Sequence, residues 1–474
     1  MDISLRTKQL NSLFSYDKKT ELEESHLEII PFRFTQTRGA SEIDEFQKGL
    51  TPTGFCPMTD DRIQENKSFS YAIFTPSGRK KNNEAIILLH GLNERTWEKY
   101  LTWAEYLTHT TGKPVILFPI AFHMNRTPGL WANPRAILPW VSKRKEEVAN
   151  VTNSTFANVA LSSRLSQNPL RFYASGRESV YNMWQLVHEI KNGEHPLFKE
   201  DTSINLFAYS IGALLSQVLL LANPDKMFTD TRLFMFCGGS IFSEMDGNAR
   251  DIMDKEAFAK VRHYFRHDFL ENRTLPTSFK NDFLEQAFKA MVREDVLRDY
   301  RESFFQRACD RIRAISLKKD IVMPTGGVIK ALGKASGKIL EELDFPFAYS
   351  HQIPFPTHSR IDPGLINQAF HSIFTRAAAF LKRDITAFKA SSTDNVASLS
   401  AGKHIVCLRL SPFTSVRAPY LFYEYDAKEQ RNKKVRKSVT LVSTSPRIVF
   451  TSFIDRNLIP ATRHEHILRI FVEN

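Results

Sequence analysis

The stretch LFAYSIGALL (206–215) sets a serine between two apolar runs. It reads as a strand (INLFA, 204–208), a turn (YSIG) and a helix (ALLSQVLLLANP) stopped by Asn223 and Pro224, so Ser210 falls on a tight strand-to-helix turn. Such a turn exposes a hydroxyl nucleophile and wants small residues two positions to either side, where backbone and helix crowd together. Those positions are Ala208 and Gly212, with alanine where glycine is usual. The turn also aims the Ile211 amide into the same space as the hydroxyl, near the positive end of the helix. The plainer alternative is an ordinary serine opening a buried helix.

A second stretch, AIILLHGLNE (85–94), is an apolar strand ending in His-Gly. The amide just after that glycine, on Leu92, is the candidate for a second donor to an oxyanion, and His90 itself reads as structural. The chemistry these residues suggest is attack of a hydroxyl on a carbonyl, with two amides holding the oxygen that becomes negative.

AIILLHG followed by LFAYSIG, about 120 residues later, resembles the α/β-hydrolase superfamily of serine hydrolase type. The resemblance implies a mostly parallel eight-stranded sheet and a triad in the chain order nucleophile, acid, histidine. RAISLKKDIVMP (313–324) is similar to that family's strand seven and the loop after it, which makes Asp320 the carboxylate that orients the histidine. Glu244 and Asp246, after LFMFCGGSIF, are alternative acids because some members carry theirs after strand six. The segment 343–382, beginning LDFPFAYSHQIPFPTHSR, resembles strand eight, the histidine loop and the last helix. His351 is then the base, and His358 in the same loop is its rival.

The resemblance implies that His351 takes the Ser210 proton and returns it to the leaving group, through an acyl-enzyme and with no cofactor or metal. The expected substrate is a small-molecule carboxylic ester or thioester. An amidase, peptidase or lipase of the same fold is the alternative within the class. A dehalogenase would carry Asp in place of Ser210, and the charged composition of residues 240–311 argues against a lipase cap. From a different class comes a non-catalytic binding protein that engages an acidic partner through its basic tail. Nothing in the chain specifies an oligomeric state.

The elements that must hold these residues are legible as short β-branched and aromatic runs: FSYAIF (69–74), AIILL (85–89), PVILF (114–118), INLFA (204–208), LFMFC (233–237) and RAISL (313–317). Near-continuous apolar runs of this length are the habit of parallel strands covered on both faces. Residues 96–112 and 176–193 repeat apolar positions at helical spacing beside them. The fold predicted is a doubly wound, mostly parallel α/β-hydrolase sheet with helical cap insertions and a small β-rich C-terminal appendage.

The organisation read from these runs is an N-terminal leader (1–64), the hydrolase domain (65–390), a polar linker (391–402) and a basic β-rich tail (403–474). Cap or lid insertions are expected near 119–175 and 240–311. In the first of them His123, Arg126, Trp131 and Arg135 are candidates for substrate contact, with loop-holding packing as their other use.

Composition narrows the classes further. With 474 residues, 42% hydrophobic, and 37 phenylalanines, the chain can fill a sizeable core. Of the net charge of +12, residues 391–474 carry 13 Lys+Arg against 7 Asp+Glu, or +6. The body is therefore only mildly basic, nucleic-acid binding is not expected of it, and any basic patch belongs around KEQRNKKVRK (428–437). The first residues lack the continuous apolar stretch of a secretory signal and no window is apolar enough to span a membrane, so a soluble, cytoplasmic chain is expected. Cys56, Cys237, Cys309 and Cys407 are dispersed, which reads as reduced thiols. TGGVIKALGKASGK (325–338) lacks the spacing of a phosphate loop, and HYFRH (263–267) has Tyr264 where a zinc protease needs Glu.

Overall fold

The computed structural model describes residues 2–50, 58–78, 81–271, 282–357 and 360–382, together with four strands of the tail. The chain divides into two units, Met1–Arg383 and Asp384–Asn474.

The first unit is built on one sheet. Its strands are β1 (Thr20–Leu22), β2 (Leu27–Thr35), β3 (Ser68–Pro76), β4 (Asn82–Leu89), β5 (Val115–Leu117), β6 (Phe198–Tyr209), β7 (Leu233–Phe236), β8 (Ile312–Leu317) and β9 (Leu340–Leu343), in the spatial order β1-β2-β3-β5-β4-β6-β7-β8-β9. From β5 to β9 every neighbouring pair is parallel, whereas β1, β2 and β3 form an antiparallel edge joined to β5. The mostly parallel sheet is the one predicted for an α/β-hydrolase fold, but it has nine strands where the resemblance implied eight.

Alternation along the central strands sorts their side chains into two cores. Ala85, Ile87 and Leu89 of β4 and Leu206 and Ala208 of β6 pack on one face, under the helices Leu170–Lys191 and Ile211–Ala222. Ile86, Leu88, Phe207 and Tyr209 pack on the other, under Ile3–Leu13, Glu98–Thr111 and Pro363–Lys382. Because both faces are covered, these strands carry no polar face, which is why they read as apolar runs.

The segment expected to be a leader is instead woven into this unit. Asp2 caps the helix Ile3–Leu13 by accepting from the Ser4 and Leu5 amides, at 2.9 and 3.1 Å. Arg6 of that helix donates to the buried Glu105 carboxylate (Nε to Oε2, 2.9 Å), and β2 pairs with β3 along its whole length. The first residues lack a long apolar run because they form a helix that buries only Ile3, Arg6, Thr7 and Leu10, followed by strands at the edge of the sheet.

The last sheet strand also differs from expectation. LDFPFAYS is not a strand; β9 ends at Leu343, where this run begins, and the run is irregular with Pro346 in it. Its aromatic rings serve packing, with Phe345 and Phe347 5.4 Å apart and Phe345 5.8 Å from Phe355.

In the second unit β10 (Lys403–Leu408) pairs antiparallel with β13 (Ile448–Phe453), and β11 (Ser415–Asp426) with β12 (Arg431–Val442). Residues 391–402 and HILRIFV (466–472) lie outside the described residues. No helix among the described residues is long and apolar enough to cross a membrane. Cys237 and Cys309 are buried free thiols.

Candidate active site

Ser210 sits where β6 ends and the helix Ile211–Ala222 begins, at φ 55° and ψ −121°. A non-glycine residue with positive φ stores of order 1–3 kcal/mol of strain and persists only where its surroundings hold it. They do so here through the backbone, since the Ser210 amide donates to Phe236 O (3.3 Å) and its carbonyl accepts from the Ala213 amide (3.0 Å). A Cβ on Gly212 would lie 2.8–2.9 Å from Leu89 Cβ and the Leu89 and His90 carbonyls, and one on Gly238 would lie 2.8 Å from Ser210 O. The close approach therefore falls at Gly212 and Gly238, while Ala208 fills the core.

The Ser210 hydroxyl lies 2.7 Å from Nε2 of His351, and His351 Nδ1 lies 2.7 Å from Asp320 Oδ2. All three residues are buried, at 3%, 4% and 4% exposure, so the contacts are shielded from competing water. The second Asp320 oxygen accepts from the Val322 and Met323 amides, each at 2.9 Å. The carboxylate is thus fixed by the loop after β8 and can present only Oδ2 to the histidine. His351 is held in turn by Tyr209, whose hydroxyl donates to the His351 carbonyl and whose ring stacks on the imidazole at 5.6 Å. Tyr209 and Gly238 escaped the sequence reading, although Tyr209 immediately precedes Ser210 in the motif.

The other acids stand elsewhere. Glu244 is ion-paired with Lys330 (2.9 Å), and Asp246 accepts from the Asn248 amide (3.0 Å). His358 lies outside the described residues.

Leu92 and Ile211 both line the cavities beside Ser210, and among the described residues neither amide has a hydrogen-bond acceptor. The loop bearing Leu92 is fixed from below. The Gly91 amide donates to Tyr100 Oη (2.9 Å), while His90 Nδ1 faces Gly91 O at 2.8 Å and His90 Nε2 accepts from the Ile120 amide at 2.9 Å. Burial holds His90 neutral, its pKa pushed well below the usual range.

One cavity runs from Ser210 under Phe242, Met245, Ile252, Met253, Phe258 and Val261. Residues 240–311, highly charged in composition, therefore present an apolar wall to Ser210, which corrects the argument against a lipophilic cap. The helix Lys255–Arg266 explains how, since it buries Ala257, Val261 and Phe265 and leaves its charged positions exposed or half-buried. The two insertions are clamped together by Arg144, whose Nε and Nη2 donate to Asp254 at 2.9 and 3.0 Å.

Of the expected substrate contacts, His123 lines a second apolar cavity that shares Leu92, Phe172 and Ile211 with the first. Arg126 lines none of these cavities. It is fully buried and donates to Asn66 Oδ1, Pro119 O, Asn66 O and Asn182 Oδ1 at 2.8–3.1 Å, beside the Glu178 carboxylate. Its use is to hold the 119–126 loop, the packing alternative. Trp131 packs with Ile63, Ile137 and Val159, under the Arg164 guanidinium at 4.4 Å, and Arg135 is exposed.

Burial lowers the pKa of His123 and of His195 to about 4. Both protonate near pH 6.5 in an unfolded chain, so between pH 6.5 and 4 the unfolded state binds more protons and stability falls as pH falls. Thermal unfolding should accordingly move to lower temperature between pH 7.5 and 5, and less steeply in His123→Gln. An equally steep decline in that variant would remove His123 as a cause.

A family model described as "Family of unknown function (DUF6051)" matches residues 4–382. No curated protein matches. Among solved structures, a thermostable esterase from Pseudomonas putida is 11% identical with a TM-score of 0.35, covering 80% of this chain and 89% of its own. An esterase from Pyrobaculum calidifontis is 11% identical (TM-score 0.36; 80% and 90% covered), and carboxyl esterase 2 from Tuber melanosporum is 9% identical (TM-score 0.37; 80% and 97%). Likenesses this weak say nothing about the reaction of this chain.

Proposed function

We propose, for a chain that belongs to the DUF6051 family of unknown function, a serine hydrolase that cleaves a carboxylic ester or thioester through an acyl-enzyme. The reading is supported above all by the unbroken hydrogen-bonded line Ser210 Oγ, His351 Nε2, His351 Nδ1, Asp320 Oδ2, which ends at an apolar cavity. Ser210 Oγ attacks the carbonyl carbon as its proton passes to His351 Nε2. Asp320 keeps Nδ1 protonated and stabilises the imidazolium. The Leu92 and Ile211 amides receive the oxyanion. His351 then gives its proton to the leaving oxygen or sulfur as that bond breaks, and water attacking the acyl-serine repeats the sequence. The apolar walls around Ser210 suit an apolar acyl group, and esters need no cofactor for this chemistry.

A fluorophosphonate probe tests the reading, because it phosphonylates only an activated serine. The expected result is a single adduct, found by peptide mass spectrometry on Ser210, whose formation is lost in His351→Ala. A folded wild-type protein that takes no label would overturn the proposal, and unchanged labelling of His351→Ala would move the base to His358.

A further inference from the structure

We infer that a polar groove on the His351 side of the site binds an anionic group on the leaving portion of the substrate, and that Arg95 recognises it. The inference rests on the serine hydrolase reading. Leu92, whose amide is a proposed oxyanion donor, lines this groove as well as both apolar cavities. Gln352, Ile353 and Pro354, the residues directly after His351, line it as well. The leaving atom must collect its proton from His351 Nε2, so the leaving portion of a substrate emerges on this side and the acyl portion enters the apolar cavities.

Arg95 differs from the other arginines around the site. Arg126, Arg144, Arg164 and Arg171 each face a buried carboxylate. Arg95 makes no ion pair among the described residues; its Nη2 donates to two neutral carbonyls, Ala157 O at 2.6 Å and Phe156 O at 3.2 Å. Its Nε and Nη1 have no protein acceptor among the described residues, and neither is sealed from solvent. Burial lowers its pKa and no neighbouring carboxylate raises it back, which marks a partly desolvated cation without a counter-ion. A guanidinium with two open donors is the group best shaped for a carboxylate or phosphate oxygen.

The groove's other cation is already engaged, since Lys99 pairs with Glu94 and donates to Gln352 O at 3.0 Å. Glu98 and Asp251 also line the groove, so its general field does not favour anions. Selection of an anion must therefore come from direct contact with Arg95. The substrate class that follows is an apolar acyl group esterified to an acidic alcohol, phenol or thiol.

Two esters of one acyl group test this with the full-length protein: the butanoyl esters of 3-hydroxybenzoate, anionic at pH 7.5, and of 3-hydroxybenzamide, its neutral isostere. The expected ratio of kcat/KM is about tenfold or more in favour of the anion, carried by KM and shrinking at high salt. In Arg95→Gln, which removes the charge and keeps a polar side chain, the ratio falls to about one, and Arg95→Lys restores part of it. A ratio near one in a wild-type protein that labels at Ser210 overturns this inference and leaves the hydrolase reading standing. An unchanged ratio in Arg95→Gln does the same. A protein that neither labels nor hydrolyses either ester overturns both.

Discussion

Ser210→Ala is expected to lower ester hydrolysis about a millionfold, the loss typical when the nucleophile of a cooperating triad is removed. The fold should survive, because among the described residues the lost hydroxyl bonds only to His351 Nε2, which is left facing an apolar cavity. Ser210→Gly separates chemistry from stability. It removes the same hydroxyl, so activity should fall equally, yet glycine adopts φ 55°, ψ −121° without the cost that a side chain imposes. Relief of about 1–3 kcal/mol of strain should raise the melting temperature above that of Ser210→Ala and of the wild type. Steady-state kinetics and thermal melts of the three proteins decide both points. Residual wild-type rates in Ser210→Ala would place the nucleophile elsewhere, and a lower melting temperature in Ser210→Gly would mean that the turn is not strained at this residue.

This coupling of strain to chemistry also explains what was readable in the chain. The central strands were legible because a parallel strand covered on both faces has no polar side to disguise it, and the turn at Ser210 was legible because it joins such a strand to an apolar helix. The edge of the sheet was not: β1 is three residues long, β2 mixes charged and apolar residues, and only the pairing of β1 with β2 and of β2 with β3 shows them to be strands. Composition misled in the cap for a related reason. Residues 255–266 interleave five charged residues with six apolar or aromatic ones, and helical periodicity turns Ala257, Val261 and Phe265 inward while the charged positions stay at the surface. Arg126 shows the converse, a charged residue in a loop that reads as a ligand contact and is consumed entirely by Asn66, Pro119, Asn182 and Glu178. No local signal separates Arg126 from Arg95, since the difference lies in which distant groups meet each guanidinium.

The same dependence on distant groups gives Asp320→Asn its expected effect, a loss of about 10⁴-fold in kcat with little change in KM. Asp320 Oδ1 accepts from two backbone amides, Val322 and Met323, and an Asn side chain keeps its oxygen there because an NH2 facing two N–H donors would be repelled. The Asn NH2 must then take the Oδ2 position and donate to His351 Nδ1. That contact forces the imidazole proton onto Nε2, where it points at Ser210 and cannot be replaced by the serine's own. The base is present, well packed against Tyr209, and in the wrong tautomer. The two alternative acids offer no substitute, because Glu244 is paired with Lys330 and Asp246 accepts from the Asn248 amide, away from His351. Asp320→Ala, which imposes no tautomer, should retain more activity than Asp320→Asn. Equal kcat in Asp320→Asn and wild type would remove Asp320 from the proposed triad, and the order of the two variants tests whether the fixed Oδ1 is what makes the amide harmful.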